Sequence, residues 1–270
     1  MASSWCALLS LALLGSCAIV PEGSVPTTSL TADVASQFNF RGMPNSRRGV
    51  LQASGDIALP TKVETGVIAF KAWTNIDLSN STGAAWFPNG HAGEPSQVDM
   101  HLSYSEHYRD FDVAFGIVSY SLQNPDDFLL APSGERGETK EFFLSASREI
   151  PYGLVPSLTM HWDFDEAEGI YMNTGVSRSF PIEEDLVADA ELSIGWSDDN
   201  QSEWSYGIQT DGIADLKLRL GISYFLDRHT TIRSSLNFST IVDDSLSEWF
   251  EVIGVADDNV WFMLGATWSY

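Results

Sequence analysis

From Ser29 onward the chain alternates between apolar and polar residues. In Ser29–Arg41, Leu30, Ala32, Val34, Phe38 and Phe40 fall on one face, opposite Thr31, Asp33, Gln37, Asn39 and Arg41. Val98–Ser105, Pro156–Phe164, Ala188–Trp196 and Leu216–Tyr224 repeat the pattern. A period of two is that of a β-strand; a helix would repeat its apolar residues three and four apart. No convincing helical period interrupts it. The alternation predicts an all-β chain of about 12 strands, at 29–42, 49–60, 63–79, 97–108, 110–123, 140–151, 154–165, 169–180, 186–198, 212–226, 229–242 and 259–270.

Strand length separates the two folds that alternate in this way. Sandwich strands run about 5–6 residues, whereas a tilted strand crossing a bilayer needs about 9–11. The predicted strands run longer than the sandwich length. Their connections are also unequal. "LPTK", "HYRD", "PYGL", "FPIEED" and "DRHT" are tight turns, and most of the links between them are long, such as "NSTGAAWFPNGHAGEP" and "DDSLSEWFEVIGVADDN"; "EAEG" is a short exception. Short turns on one rim and long loops on the other are the layout of an up-and-down antiparallel transmembrane β-barrel, with periplasmic turns and acidic extracellular loops. A soluble sandwich is the competing fold.

The charge balance is strongly acidic, with 37 acids against 14 bases and a net charge of -23. That argues against nucleic acid as a partner. Beyond the N-terminus no apolar run reaches the roughly 18 residues of a membrane helix, a test to which a barrel is invisible. Residues 1–18 hold a short apolar core followed by small residues and read as an export signal. "LGSC" ends on Cys17 in the manner of a lipobox, which would make Cys17 a lipidation site; cleavage after Ala18 is the alternative. Residues 19–28 form a linker, and 29–270 the barrel. With Cys6 in the leader, no disulfide framework and no cysteine metal site is expected.

The chain ends in "MLGATWSY". A closed barrel must pair its last strand with its first, leaving no edge in lipid. Gly265, Trp268 and Tyr270 are similar to the terminal signal by which the barrel-assembly machinery recognises its clients, although Met263 stands where a polar residue is usual.

Two landmarks resemble those of the TorF-type porins, small Gram-negative outer-membrane proteins. The first is Phe40-Arg41-Gly42, an aromatic followed by Arg-Gly and a short polar turn. The second is Trp73, Asn75 and Asp77 in "IAFKAWTNIDL". Ser36-Gln37 departs from the family pattern, which more often has an acid and an aromatic there. The resemblance implies a porin-like barrel in the outer membrane, with the lipid bilayer as its surroundings. It supplies no substrate, cofactor or catalytic residue.

In a barrel the polar face points inward. The pattern predicts lumen bases at Arg41, Lys71, Lys217, Arg219 and Arg233, and lumen acids at Asp33, Asp77, Asp99, Asp163, Asp189 and Glu191. Trp73, Asn75, His101 and His161 share that face. About 8 strands give a plugged barrel and 16–18 a wide channel, so twelve predicts a narrow or partly blocked pore. The charges form either a constriction that selects small solutes or a salt-bridge network that stiffens the wall. Trp73 and Asn75 either touch a ligand or pack the lumen. Acids cluster in the long loops: Asp126, Asp127, Glu135 and Glu138; Asp198, Asp199, Glu203 and Asp211; then Asp243, Asp244, Glu248, Glu251, Asp257 and Asp258. They read as solvated loops that favour cations over anions at the mouth, with Trp204, Tyr206, Trp249 and Phe250 folding back over it. "DMH" and "HWD" place an Asp beside each lumen His, but no serine lies in a nucleophile motif. The expected function is a passive porin for small solutes with cation preference. A closed surface-binding barrel and, less favoured, a barrel enzyme are the alternatives.

Overall fold

The computed structural model describes residues 25–83, 91–122 and 137–270. The export segment with Cys17, the first part of the linker, and Asp126, Asp127 and Glu135 lie outside the described residues.

The strands are β1 (Thr27–Ala35), β2 (Phe38–Phe40), β3 (Met43–Ser46), β4 (Val50–Pro60), β5 (Val67–Asp77), β6 (Pro95–Tyr108), β7 (Phe111–Leu122), β8 (Glu138–Ser147), β9 (Leu154–Asp163), β10 (Ile170–Glu183), β11 (Leu186–Ser197), β12 (Gly212–Phe225), β13 (Thr230–Ile241) and β14 (Asp258–Ser269). All but β2 and β3 close into one twelve-stranded barrel. Each strand pairs antiparallel with its neighbour along the chain, and β1 closes the ring on β14 with Leu30 opposite Trp268 and Asp33 opposite Gly265. Thr28 and Tyr270 exchange two backbone hydrogen bonds of 2.8 Å, so the last residue is tied into the seam.

The alternation sorts the side chains as expected. Leu30, Val34, Phe70, Leu102, Leu158, Leu192, Leu220, Leu236, Phe262 and Leu264 stand exposed on the outer face, while Asp33, Asn75, Asp99, Asp163, Ser193 and Asn237 are buried inside. Sliding any strand by one residue would exchange the two sets, so lipid outside and polar contacts inside fix the register. No helix among the described residues is long and apolar enough to cross a membrane; the strands do the crossing.

The first barrel strand is shorter than the pattern suggests. It stops at Ala35 and not at 42, because the alternation from Gln37 to Arg41 continues on a separate ribbon, β2–β3, inside the barrel. Its turn is Arg41-Gly42, both in the left-handed region at φ 50° and 82°. Glycine is needed at the second position on two counts. The backbone conformation favours it, and a Cβ there would stand 2.8 Å from that of Asp215 and 2.9 Å from Ile241 Cδ1. At its base, Phe38 packs with Ala35 and Val50 in an apolar niche completed by Phe40, Trp73 and Met263.

Two of the long loops are also more ordered than acid-rich loops suggest. Each carries a helix, α1 (Asp199–Tyr206) and α2 (Asp244–Ile253). The side chains of Asp198 and Asp243 cap them, accepting from Gln201 N and Leu246 N, and both helices end at left-handed glycines, Gly207 and Gly254. Part of the acid cluster therefore satisfies helix N-termini. Of the loop aromatics, Tyr206, Trp249 and Phe250 pack together. Tyr206 and Phe250 are fully buried, in one cluster with Met43, Ala214, Ile241, Leu246 and Val255. Trp249 Nε1 donates to Tyr206 O at 2.8 Å.

Candidate functional site in the barrel lumen

The ribbon crosses the lumen from wall to wall. On one side Gln37 Nε2 donates to Asn259 Oδ1 of β14 at 2.9 Å, and Asn39 Nδ2 to Ser239 Oγ of β13 at 3.1 Å. On the other side Phe40 packs edge-on against Tyr120 of β7, and Arg41 reaches Glu141 of β8. These strand pairs stand on opposite sides of the ring of twelve. The ribbon is thus a diametric strut.

Its far end is a buried ion pair. Arg41 Nη2 lies 2.7 Å from Glu141 Oε2, with the two side chains 5% and 0% exposed. Tyr120 Oη donates to the same oxygen at 2.9 Å. His161 Nδ1 lies 2.9 Å from the same oxygen. The Arg41 guanidinium lies over the Tyr171 ring at 4.5 Å and beside the Phe40 ring at 4.9 Å. Tyr171 Oη in turn donates to Asp215 Oδ1 at 2.8 Å, and Tyr206 Oη to the Arg41 carbonyl at 2.7 Å. Arg41, expected on the wall, is instead carried into the lumen on the tip of the ribbon.

The other predicted residues occupy the wall. Arg233 binds Asp33 through two bonds, Nε to Oδ1 at 3.0 Å and Nη2 to Oδ2 at 2.6 Å. Arg219 meets Asp189 at 2.8 Å and Glu191 loosely at 4.0 Å, and Lys217 lies 3.2 Å from Asp215. Lys71 stands opposite His101 across β5–β6 and is in none of the ion pairs among the described residues. Asp99 accepts from Gln97 Nε2. Asn75 is fully buried between Gln52 and Ser96, and Trp73 packs on Phe38. Asp77, at the loop end of β5, receives a long bond from Ser96 Oγ. Asp163 organises the β9–β10 turn, accepting from Thr139 Oγ1, Asp165 N and Ala167 N. At the short-turn rim, a recess of about 280 Å³ is lined by Thr65, Ser105, His107, Asp112, Ser145 and Ser147, among others. No group of three or more His, Cys, Asp or Glu among the described residues could hold a metal.

Glu141, Tyr120, Tyr171 and Asp215 are the residues that the sequence pattern alone leaves out. Each lies on the polar face of its strand. Glu141 could have been found as a charge in the otherwise apolar "EFFL", and Asp215 as the residue preceding Lys217 and Arg219 on the same face.

A closed antiparallel ring with an apolar outer belt and a charged interior defines a transmembrane β-barrel. Among solved structures, the chain is similar to the COG4313 outer membrane channel from Pseudomonas putida F1, at 10% identity over 93% of this chain and 97% of that one, with a TM-score of 0.50. That likeness is one of fold. It is also similar to the NanC porin, at 8% identity over 88% of this chain and 98% of that one (TM-score 0.49). A third similar structure is the KdgM porin, at 8% identity over 90% and 99% (TM-score 0.46). No protein-family model and no curated protein matches the chain.

Proposed function

We propose that the protein is an outer-membrane porin of a Gram-negative cell, a passive channel for small polar solutes with a preference for cations. The carrying observation is the charged ladder inside the barrel. Lys217, Arg219, Glu191 and Arg233 are 30–47% exposed although they face inward, so they border space and not a packed core. Acidic segments without a base at Ser197–Gly212 and Val242–Asn259 support cation preference, since like charge at a mouth raises the local concentration of counter-ions. Export through residues 1–18, with either lipidation at Cys17 or cleavage after Ala18, and insertion by the barrel-assembly machinery complete this reading.

The TorF-type resemblance fits it. Phe40-Arg41-Gly42 is the tip of the strut, and Trp73, of the second landmark, is part of its seat. The reading is one of transport and assigns no catalytic residue. A closed, surface-binding barrel is the second reading, favoured by the strut and by the helices packed over the long-loop end.

Single-channel recording on the purified protein in planar bilayers, with a salt gradient, tests both. Discrete steps with a cation-directed reversal potential support the porin. A silent bilayer, with the barrel shown folded by circular dichroism and heat-modifiable migration, supports the closed barrel.

A further inference from the structure

We propose that the β2–β3 ribbon is a movable gate, latched shut by Arg41 and Glu141. This rests on the porin reading and names how that pore is regulated.

The first ground is how the ribbon is attached. β2 pairs only with β3. Among the described residues, no backbone hydrogen bond ties 37–46 to the barrel wall. The backbone anchors flank it. Ser36 exchanges two bonds of 3.0 Å with Phe262, N to O and Phe262 N to Ser36 Oγ, and at the other end Arg47 N donates to Thr82 O. Gln37, Asn39 and Arg41 reach the wall by side-chain hydrogen bonds, Tyr206 Oη donates to the Arg41 carbonyl, and Phe38 and Met43 add apolar packing at the two ends of the ribbon. Displacing it breaks no strand ladder, and the barrel stays closed.

The second ground is the chemistry of the latch. Glu141 Oε2 receives Arg41 and Tyr120, whereas Glu141 Oε1 and Arg41 Nη1 are buried without a partner. Burying a charge pair costs desolvation that excellent geometry only roughly repays, and each unmatched polar atom adds to that cost. Arg41 also adopts the left-handed conformation, unfavourable for a residue with a Cβ. A displaced ribbon would return these atoms to water in the lumen. These costs offset part of the apolar burial of Phe38 and Met43 that favours the closed state, and a gate requires that balance to be narrow.

The experiment is single-channel recording on five forms of the full-length protein. In the unaltered protein, brief openings from a mostly closed state are expected. Arg41→Ala and, as a milder change, Glu141→Gln should raise the open-to-closed ratio about tenfold or more, the loss of a charge-assisted hydrogen bond. In Asn39→Cys/Ser239→Cys, the two facing positions can be linked by a short reducible bis-methanethiosulfonate reagent, residues 29–270 otherwise lacking cysteine. The linked form should be silent and should recover openings on reduction. Identical conductance before and after reduction, or latch variants that gate like the unaltered protein, overturns the gate. A fifth form, with residues 37–47 replaced by a short Gly-Ser link, separates the two claims. If it conducts while the unaltered protein and latch variants stay silent, the gate falls, the ribbon is a fixed plug, and the protein is the closed barrel of the second reading. If it too is silent while folded, the porin reading falls, and the gate with it.

Discussion

Arg233 and Asp33 meet across a strand to which neither belongs. Arg233 sits on β13 and Asp33 on β1, and both stand opposite Gly265 of the intervening β14. Their two hydrogen bonds, at 3.0 and 2.6 Å, pass over the glycine and clasp the seam where the barrel closes. Tyr171 and Asp215 do the same across β11 at Gly195, where an added Cβ would collide with both.

Gly265 should therefore tolerate no side chain. A Cβ there would fall within van der Waals distance of Asp33 Oδ1 and the Ala32 carbonyl. Gly265→Ala is expected to lower stability by about 1–3 kcal/mol, the usual cost of overpacking. The midpoint of heat-induced unfolding, read from gel migration, checks it; an unchanged midpoint would show that the seam has room for a methyl group.

The clasp itself should be measurable as a coupling. Asp33 is 8% exposed and Arg233 38%. Truncating Arg233 leaves a buried carboxylate unpaired, whereas removing both charges does not. A cycle of Arg233→Gln, Asp33→Asn and the double variant should give a coupling of about 1–2 kcal/mol, held down by the solvent around Arg233. Strict additivity would mean that water already serves Asp33.

The two loop helices should respond unequally to loss of their caps. Asp243→Ala removes one bond, to Leu246 N, at a cost of about 1 kcal/mol. Asp198→Ala removes two, because Asp198 Oδ2 also accepts from Ile170 N. Amide exchange over 199–206 should accelerate more in Asp198→Ala than exchange over 244–253 does in Asp243→Ala. The reverse order would contradict the assignment of Asp198 as a double anchor.

Acid should loosen the β12–β13 turn. Backbone N–H groups of His229 and Thr230 donate to Asp227 Oδ1 and hold its carboxyl below the ordinary aspartate value near 4. A depressed carboxyl contributes stability above its unfolded value and loses it as pH falls through the folded value. Between roughly pH 4 and the lower folded value, the protein should lose stability that Asp227→Asn does not lose. Parallel acid-unfolding curves for the two proteins would count against this role.

The alternation was enough to find the barrel. Period two, strands longer than a sandwich uses, and unequal turns follow from which side chains face lipid, and each residue carries that information alone. The inward set, with Asp33, Asp189, Glu191, Lys217, Arg219 and Arg233, was legible for the same reason. The strut was not. Phe38 to Arg41 keeps the strand period whether it lies in the wall or in the lumen, and only the niche formed by Ala35, Val50, Trp73 and Met263 decides between them. The loop helices were hidden because α1 and α2 take their burial from each other, through Tyr206 and Phe250, and from Met43, which is far away in sequence. Local pattern determined which way each strand residue faces. Which residues meet across the lumen depended on ring closure, because Arg41 and Glu141 are brought together only when β8 comes to stand opposite β14.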